Sequence, residues 1–275
     1  MSMFSVVVPL YNKEESIKRT LESVLEQKYQ NFELIVVNDG STDGSAEVVN
    51  GMQDERIRLI NKVNGGVSSA RNLGIKEAKY DWIALLDGDD LWAENHLYNM
   101  HKAIVHNPEI QFLGAGYNVA KKDGTLLHTV QAEKEGLVNF FEISLKIRFV
   151  VNSSCVAFNK VKYPGVYFDE NLTAGEDLNF LEKLGKSSPL YLIPEATSFY
   201  LDDTENKAVY STHSLDKTHV YNINTEDIRD AREKKYYNNL ILHSSLQVLE
   251  GSQSAKNAWK IYQKHNRFIG DKRFL

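Results

Sequence analysis

Residues Trp82–Asp90 read WIALLDGDD. The first five residues are apolar and suit a strand covered on both faces. The last four place three carboxylates where such a strand must leave the sheet. The same texture recurs upstream. Phe32–Asn38 (FELIVVN) and Phe4–Leu10 (FSVVVPL) are apolar, β-branched runs, and Ile57–Asn61 is a shorter one. Helical spacing fills the gaps. Asn12 offers a cap, and Ile17, Leu21, Val24 and Leu25 fall on one face. A short helix is expected near Ser45–Met52, and Gly65-Gly66 opens one running to about Ala78. Strand and helix alternating at this interval predict βαβ units, a mostly parallel sheet and helices on both faces. In such sheets ligands bind at the carboxyl ends of the strands. Tyr11-Asn12, Asp39-Gly40-Ser41, Asn64-Gly65-Gly66 and Asp87–Asp90 all fall there.

Beyond residue 110 the texture changes. Tyr117–Lys121 and Leu126–Val130 flank Lys122-Asp123-Gly124, a hairpin signal. Residues 136–147 read as helix, Ser153–Asn159 as strand and Glu176–Leu184 as helix. Residues 202–225 are polar and irregular, and 226–269 read as two helices parted near Gly251-Ser252. The division expected is a catalytic domain over 1–224 and a helical C-terminal extension over 225–275.

The 275 residues are 42% hydrophobic and 25% charged, with five prolines and one cysteine. That composition excludes a disordered, collagenous or disulfide-stapled chain. Cys155 alone builds neither a disulfide nor a zinc site, and it reads as a small buried strand residue. The net charge of −5 argues against nucleic acid as a partner. It is unevenly spread: residues 225–275 hold ten Lys/Arg and six Asp/Glu, a net of +4, against −9 for the rest. The apolar run at the N-terminus stops at Leu10, too short for a leader or a membrane span. The expectation is a cytoplasmic protein. Its tail (Trp259, Tyr262 and Phe268 with Lys256, Lys260, Lys264 and Arg267) is either a packed helix with a solvated basic face or a peripheral contact with the inner face of the membrane.

Four clusters carry candidate chemistry. Asp87, Asp89 and Asp90 repel one another unless a cation or water intervenes. Carboxylate oxygens suit Mg²⁺ or Mn²⁺ held together with substrate phosphates, while Asp-Gly is also common in solvated turns. Asp39, at the end of the second strand, is placed either to accept from a nucleoside or to close an Asx turn, and Asp43 caps the next helix. The glycines at 65 and 66 let backbone approach a ligand, with Arg71 one or two turns on. Glu176 and Asp177 begin a helix, where a dipole favours them in any case and where a general base can also sit. Neither Gly-Lys-Ser/Thr nor G-x-G-x-x-G follows a strand, so a P-loop and a nicotinamide Rossmann domain lose their support. Trp92 is placed for sugar stacking or for the core.

Five stretches, FSVVVPLYNKEESI, FELIVVNDGSTDGS, NGGVSSARNLGI, WIALLDGDDLW and AGEDLNFLEKL, resemble glycosyltransferase family 2 in order and spacing, over roughly residues 3–200. The resemblance implies the GT-A fold of nucleotide-diphospho-sugar transferases and inverting transfer from a nucleotide-sugar, usually a UDP-sugar, to a glycan or lipid-linked acceptor. It implies that Pro9, Tyr11, Glu14, Asp39, Gly65, Gly66 and Arg71 border the nucleoside, with Asp39 on the base. Asp87-Gly88-Asp89 matches the DXD motif, Asp87 toward ribose and Asp89 toward Mn²⁺ or Mg²⁺. Asp177 matches the catalytic base, with Glu176 beside it, and His213 is the candidate for a late metal-side histidine. Two rivals remain: a binding module that keeps the fold without turnover, and a nucleotidyltransferase. The second wants a Gly-rich basic loop after the first strand, where only Lys13 is present.

Overall fold

The computed structural model describes residues 2–202, 214–226, 228–250 and 255–269. One mixed sheet forms the centre. Its parallel half comprises β1 (Phe4–Leu10), β2 (Phe32–Asn38), β3 (Ile57–Asn61) and β4 (Trp82–Leu85), in the order β3-β2-β1-β4. Beyond β4 come β9 (Val156–Asn159), β6 (Phe112–Ala120), β10 (Leu190–Leu201) and the two-residue β5 (Leu91–Trp92). Here β9 runs antiparallel to both its neighbours, while β10 is parallel to β6. Two further strands hang off this row: β7 (Leu126–Val130) on β6, and β8 (Gly136–Val138) on β10.

The central strands β1, β2 and β4 are largely apolar because both faces are covered, and the buried Ser5 and Glu33 on adjacent strands satisfy each other, Ser5 Oγ donating to Glu33 Oε1 at 2.6 Å. Val6 and Val8 of β1 join Leu34 and Val36 of β2 in a cluster with α1 (Ile17–Leu25) and α4 (His96–His106). Val7, Ile35 and Val37 point the other way, toward α3 (Val67–Glu77), α5 (Phe140–Lys146) and α6 (Glu176–Ser187). The period of two thus divides one run of residues between two cores. Each fully buried valine contributes about 1.5–3 kcal/mol.

Local chemistry moved several boundaries. Asn12 does not cap α1. It takes φ 50° and clips to the opposite loop, its Oδ1 accepting from the Thr42 amide at 2.8 Å, and the helix begins at Ile17. Residues 136–147 split into β8 and α5, because the Asn139 side chain caps a new helix by accepting from the Glu142 amide at 3.0 Å. Residues 153–155 form a tight 3₁₀ turn before β9. The twelve-residue β10 has no simple sequence signature: Pro194 interrupts it, and the register with β6 shifts there.

The last helices of the described residues are α7 (His219–Asn222), α8 (Ala231–Glu250) and α9 (Ala255–Ile269), after α2 (Ser45–Asn50) and the others named. Tyr236, Tyr237 and Ile241 of α8 and Ile261 and Ile269 of α9 share one hydrophobic cluster with Phe140, Phe180 and Val220, so side chains from both sides of position 224 pack together. Buried Glu182 of α6 fastens them. It lies 2.9 Å from His219 Nε2 and accepts from the hydroxyls of Tyr236 and Tyr237 at 2.9 and 2.8 Å. Among the described residues no helix is long and apolar enough to cross a membrane.

Candidate functional site

The carboxyl ends of β1, β2 and β4 open on one side of the sheet, and the start of α6 comes up to them. Asp39 terminates β2 there. It is 2% exposed, and both its oxygens are engaged. Oδ1 accepts from Lys62 Nζ at 2.5 Å and the Gly65 amide at 2.9 Å, and Oδ2 accepts from the Gly66 amide at 2.7 Å. Gly66 holds φ 89°, a conformation that favours glycine, and this turns its amide toward the carboxylate. Asp39 therefore shapes the 64–66 loop that precedes α3.

Arg71 is 3% exposed. It forms a bridge between Asp87 and Glu176, the second of which lies 105 residues from it along the chain. One terminal nitrogen donates to Asp87 Oδ1 at 2.5 Å and the other to Glu176 Oε1 at 3.4 Å. Its guanidinium lies 5.0 Å above the Phe168 ring, which stacks on Phe180 at 4.0 Å. Burial pulls the Arg71 pKa down, but the charges of Asp87 and Glu176 outweigh it, and the net shift is upward. Asn72 holds the floor of this arrangement: its side chain accepts from the Phe168 amide at 2.9 Å and donates to the Phe168 carbonyl at 3.0 Å. The expectation placed Arg71 and Asp39 at one nucleoside; their contacts form two separate sets.

Asp87 accepts from Ser153 Oγ at 2.8 Å through its second oxygen, and its amide donates to Ser154 Oγ at 3.1 Å. Ser154 Oγ also donates to Asp90 Oδ2 at 2.5 Å, and the Leu201 amide donates to Asp90 Oδ1 at 3.1 Å. Asp90 is 2% exposed, and burial followed by the charges of Asp87 and Asp89 pushes its pKa well above the usual carboxylate range. It is thus an internal strut binding the acidic loop to the 153–155 turn and to the end of β10. Ser153, Ser154 and Asn72 were not singled out from sequence, since their partners lie 64 to 96 residues away. Trp92 is buried and donates from Nε1 to the Ser154 carbonyl at 2.6 Å, which commits it to the core rather than to a sugar. Cys155 is also buried, and burial pushes its thiol up to about 12.

Asp89 faces the open side. Its Oδ2 accepts from Lys13 Nζ at 2.5 Å, with both side chains about one-third exposed. The pair lines a polar cleft of about 430 Å³ with Asn12, Glu14, Arg19 and Lys122. Glu14 is spent locally, accepting from the Gly44 amide at 2.6 Å at the start of α2. Tyr11 is 47% exposed. Pro9 lies in β1 opposite Val37, and the Gly88 carbonyl accepts from Ser16 Oγ at 3.0 Å. His213 falls outside the described residues. Among those described, no three His, Cys, Asp or Glu side chains lie close enough to hold a metal ion by themselves.

Glu176 and Asp177 occupy the first turn of α6. Burial, then the neighbouring Asp177 charge, raises the Glu176 pKa against the pull of Arg71. Asp177 is half-buried and accepts from the Leu178 amide at 2.7 Å. The turn before them is clamped. Gly175 has φ 74°, and an added Cβ would come within 2.9 Å of His219 Cβ. The Thr173 amide donates to the Lys217 carbonyl at 2.9 Å, and the His219 amide to the Ala174 carbonyl at 2.9 Å. The C-terminal segment therefore sets where the two carboxylates stand.

The chain is similar to proteins of known classification. The model of the family described as Glycosyl transferase family 2 matches residues 5–161. The chain is 37% identical over 134 residues to the glycosyltransferase GlyG of Streptococcus pneumoniae, covering 48% of this chain and 44% of that protein. It is 34% identical over 133 residues to the UDP-Glc:alpha-D-GlcNAc-diphosphoundecaprenol beta-1,3-glucosyltransferase WfgD of Escherichia coli, covering 48% of this chain and 52% of that one. The chain spans about half the length of these curated relatives. In three dimensions it resembles S. aureus TarS 1-349, with a TM-score of 0.73 at 20% identity over 97% of this chain and 80% of that chain. The same protein in complex with UDP-GlcNAc gives a TM-score of 0.66 at 20% identity, over 98% and 74%. That likeness shows the fold, a GT-A sheet flanked by helices, and the match over residues 5–161 shows the family: the chain belongs to glycosyltransferase family 2.

Proposed function

We propose that this protein is an inverting glycosyltransferase that moves a sugar from a nucleoside-diphosphate sugar, of the UDP class, to a hydroxyl of a glycan or lipid-linked acceptor. The observation that carries the reading is the Arg71 bridge. It ties the acidic loop at the donor side, through Asp87, to the carboxylate pair that begins α6. A module that only binds a nucleotide has no use for that connection. The names of WfgD and of the TarS complex, both naming UDP-sugars, support the choice of nucleotide.

The residues fit a divalent cation held jointly with substrate. Asp89 presents a partly exposed carboxylate that already carries a cation, the Lys13 ammonium. Mg²⁺ and Mn²⁺ commonly take one or two carboxylates and complete their shells with phosphate oxygens and water. When bound, such an ion offsets the negative charge on a leaving diphosphate. Asp87 is oriented by Arg71 and Ser153 and faces the ribose in this reading. Asp177 takes the proton of the acceptor hydroxyl on the side away from the leaving group, and one displacement inverts the anomeric carbon. Glu176 is held by Arg71, and its burial followed by the neighbouring Asp177 charge raises its pKa. The test is a donor screen read by released nucleoside diphosphate, with Mn²⁺ and with chelator. Release of uridine diphosphate in the presence of Mn²⁺ is expected. Release of pyrophosphate instead would identify a nucleotidyltransferase, and binding of donor without release of any product, across a panel of acceptors, would identify a binding module.

A further inference from the structure

A second polar cleft, of about 680 Å³, lies between Thr225, Glu226, Ile228 and Arg229, the first turn of α8 and one face of α9. Arg229, Lys234, Lys264 and Arg267 line it, and among its described lining residues Glu226 is the one carboxylate. Asp230, next in the chain to Arg229, is engaged by Arg232 at 3.0 Å. Two of the cations rest on aromatic rings: Lys264 is 3.9 Å from the centre of the Tyr221 ring and Lys234 5.9 Å from that of Phe268. Like charges gathered around one hollow repel, and an anion in it relieves them.

The helix that forms one wall adds a second observation. The apolar side of α9 is already used, with Ala258, Ile261 and Ile269 buried. Its outer side carries Lys256, Trp259, Lys260, Lys264 and Arg267, and the helix contains no acidic residue. Trp259 is 45% exposed and stacks on Tyr262 at 5.5 Å. It precedes Gln263 by one helical turn and Arg267 by two, so it stands on the stripe that borders the cleft. An exposed indole beside a row of cations matches a helix lying in the headgroup region of an acidic membrane.

We propose that this cleft takes the phosphate of an anionic phospholipid, with Trp259 set among the headgroups. The exposed tryptophan decides for a lipid over a free phosphate, which would leave the indole unused. The charge division agrees: the segment from 225 onward is net +4 on a body of −9. The inference stands apart from the donor site and does not rest on it.

The test uses the full chain with vesicles of phosphatidylcholine, alone or mixed with phosphatidylglycerol. Sedimentation with the mixed vesicles only is expected, weakening as salt rises. Arg229→Gln with Arg267→Gln should weaken it about 25-fold, about fivefold for each cation removed. Both side chains lie in an open cleft, and an unchanged thermal melting curve checks the fold of the variant. In the parent, Trp fluorescence should shift to the blue on mixed vesicles, and Trp259→Phe should remove that shift. Equal binding to both vesicle types, no binding to either, or full affinity in the double variant would overturn the proposal. Binding of soluble inositol phosphates without vesicle binding would reassign the cleft to a free anion and overturn the lipid source.

Discussion

Arg71 and Lys13 each hold an aspartate of the same acidic loop at 2.5 Å, in opposite surroundings. The side chain of Arg71 is 4% exposed, and it joins the loop to α6 while resting on Phe168. Lys13 and Asp89 are about one-third exposed at the lip of the polar cleft. The comparison teaches that one charge motif does two jobs. The Arg71 contact is part of the framework, because removing the buried guanidinium leaves Glu176, its side chain 16% exposed, without its cation. The open contact is exchangeable, because water covers either partner when the other leaves.

Four experiments sharpen or break this contrast, from the largest effect to the smallest. The buried side ends at the α6 carboxylates. Asp177→Asn is expected to lower the transfer rate about 10²–10⁴-fold with donor affinity nearly intact. Unchanged turnover in that variant, read by released nucleoside diphosphate, would move the base to another residue. Arg71→Met tests the bridge itself. It leaves Asp87 and Glu176 without their partner and should cost about 3–5 kcal/mol in urea unfolding. A loss below about 1 kcal/mol would place Arg71 with Lys13 as a surface-like contact.

His96 separates burial from charge. It is buried like Arg71, contacts Thr197 Oγ1 at 2.7 Å and stacks on Trp92 at 4.3 Å. Burial alone takes its pKa from 6.5 to about 3. The stability this supplies is complete above the unfolded value of 6.5. It declines as pH falls toward about 3, by about 1.4 kcal/mol per pH unit. His96→Gln should flatten the acid limb of a urea-midpoint profile across that window; an unaltered limb would show that another group governs it. The smallest effect is on the open side. Lys13→Ala should change stability by less than about 1 kcal/mol. It should also tighten Mn²⁺ binding in the absence of donor, measured by calorimetry, because the competing ammonium is gone. Weaker Mn²⁺ binding would show that Lys13 supports the ion instead of competing with it.

Legibility follows the same division. β1, β2 and β3 match the runs read from sequence to the residue, and β4 to within one; for β1, β2 and β4 the reason is that a strand buried on both faces is written as a largely apolar run. The hairpin around Lys122-Asp123-Gly124 and the two C-terminal helices were equally visible. β10 was not: Pro194 and Glu195 interrupt it, and it is held as a strand by β6 on one flank and by β5 and β8 on the other. α4 also passed unread, although Leu97, Met100, Ala103 and Ile104 are buried against the sheet. Within the site, Asp87, Asp89, Glu176 and Asp177 stood out as charges where an apolar run stops or a helix starts. Ser153, Ser154 and Asn72 did not, since a hydroxyl or amide acquires meaning only from the partner it meets.

By itself the sequence determined the family, the parallel half of the sheet and the set of carboxylates. These are written in local patterns: the period of the apolar residues, the turn glycines and the spacing of five motifs along the chain. Tertiary structure alone decided which carboxylates are spent and which are open. Asp39 and Asp90 are enclosed by donors from distant elements, Asp87 is 27% exposed and held by Arg71 and Ser153, and Asp89 meets one partly exposed lysine. It also decided that His219 should brace the turn before Asp177. The physical reason is that the state of a carboxylate is set by its burial and by the donors around it, and chain folding brings those from any distance along the sequence.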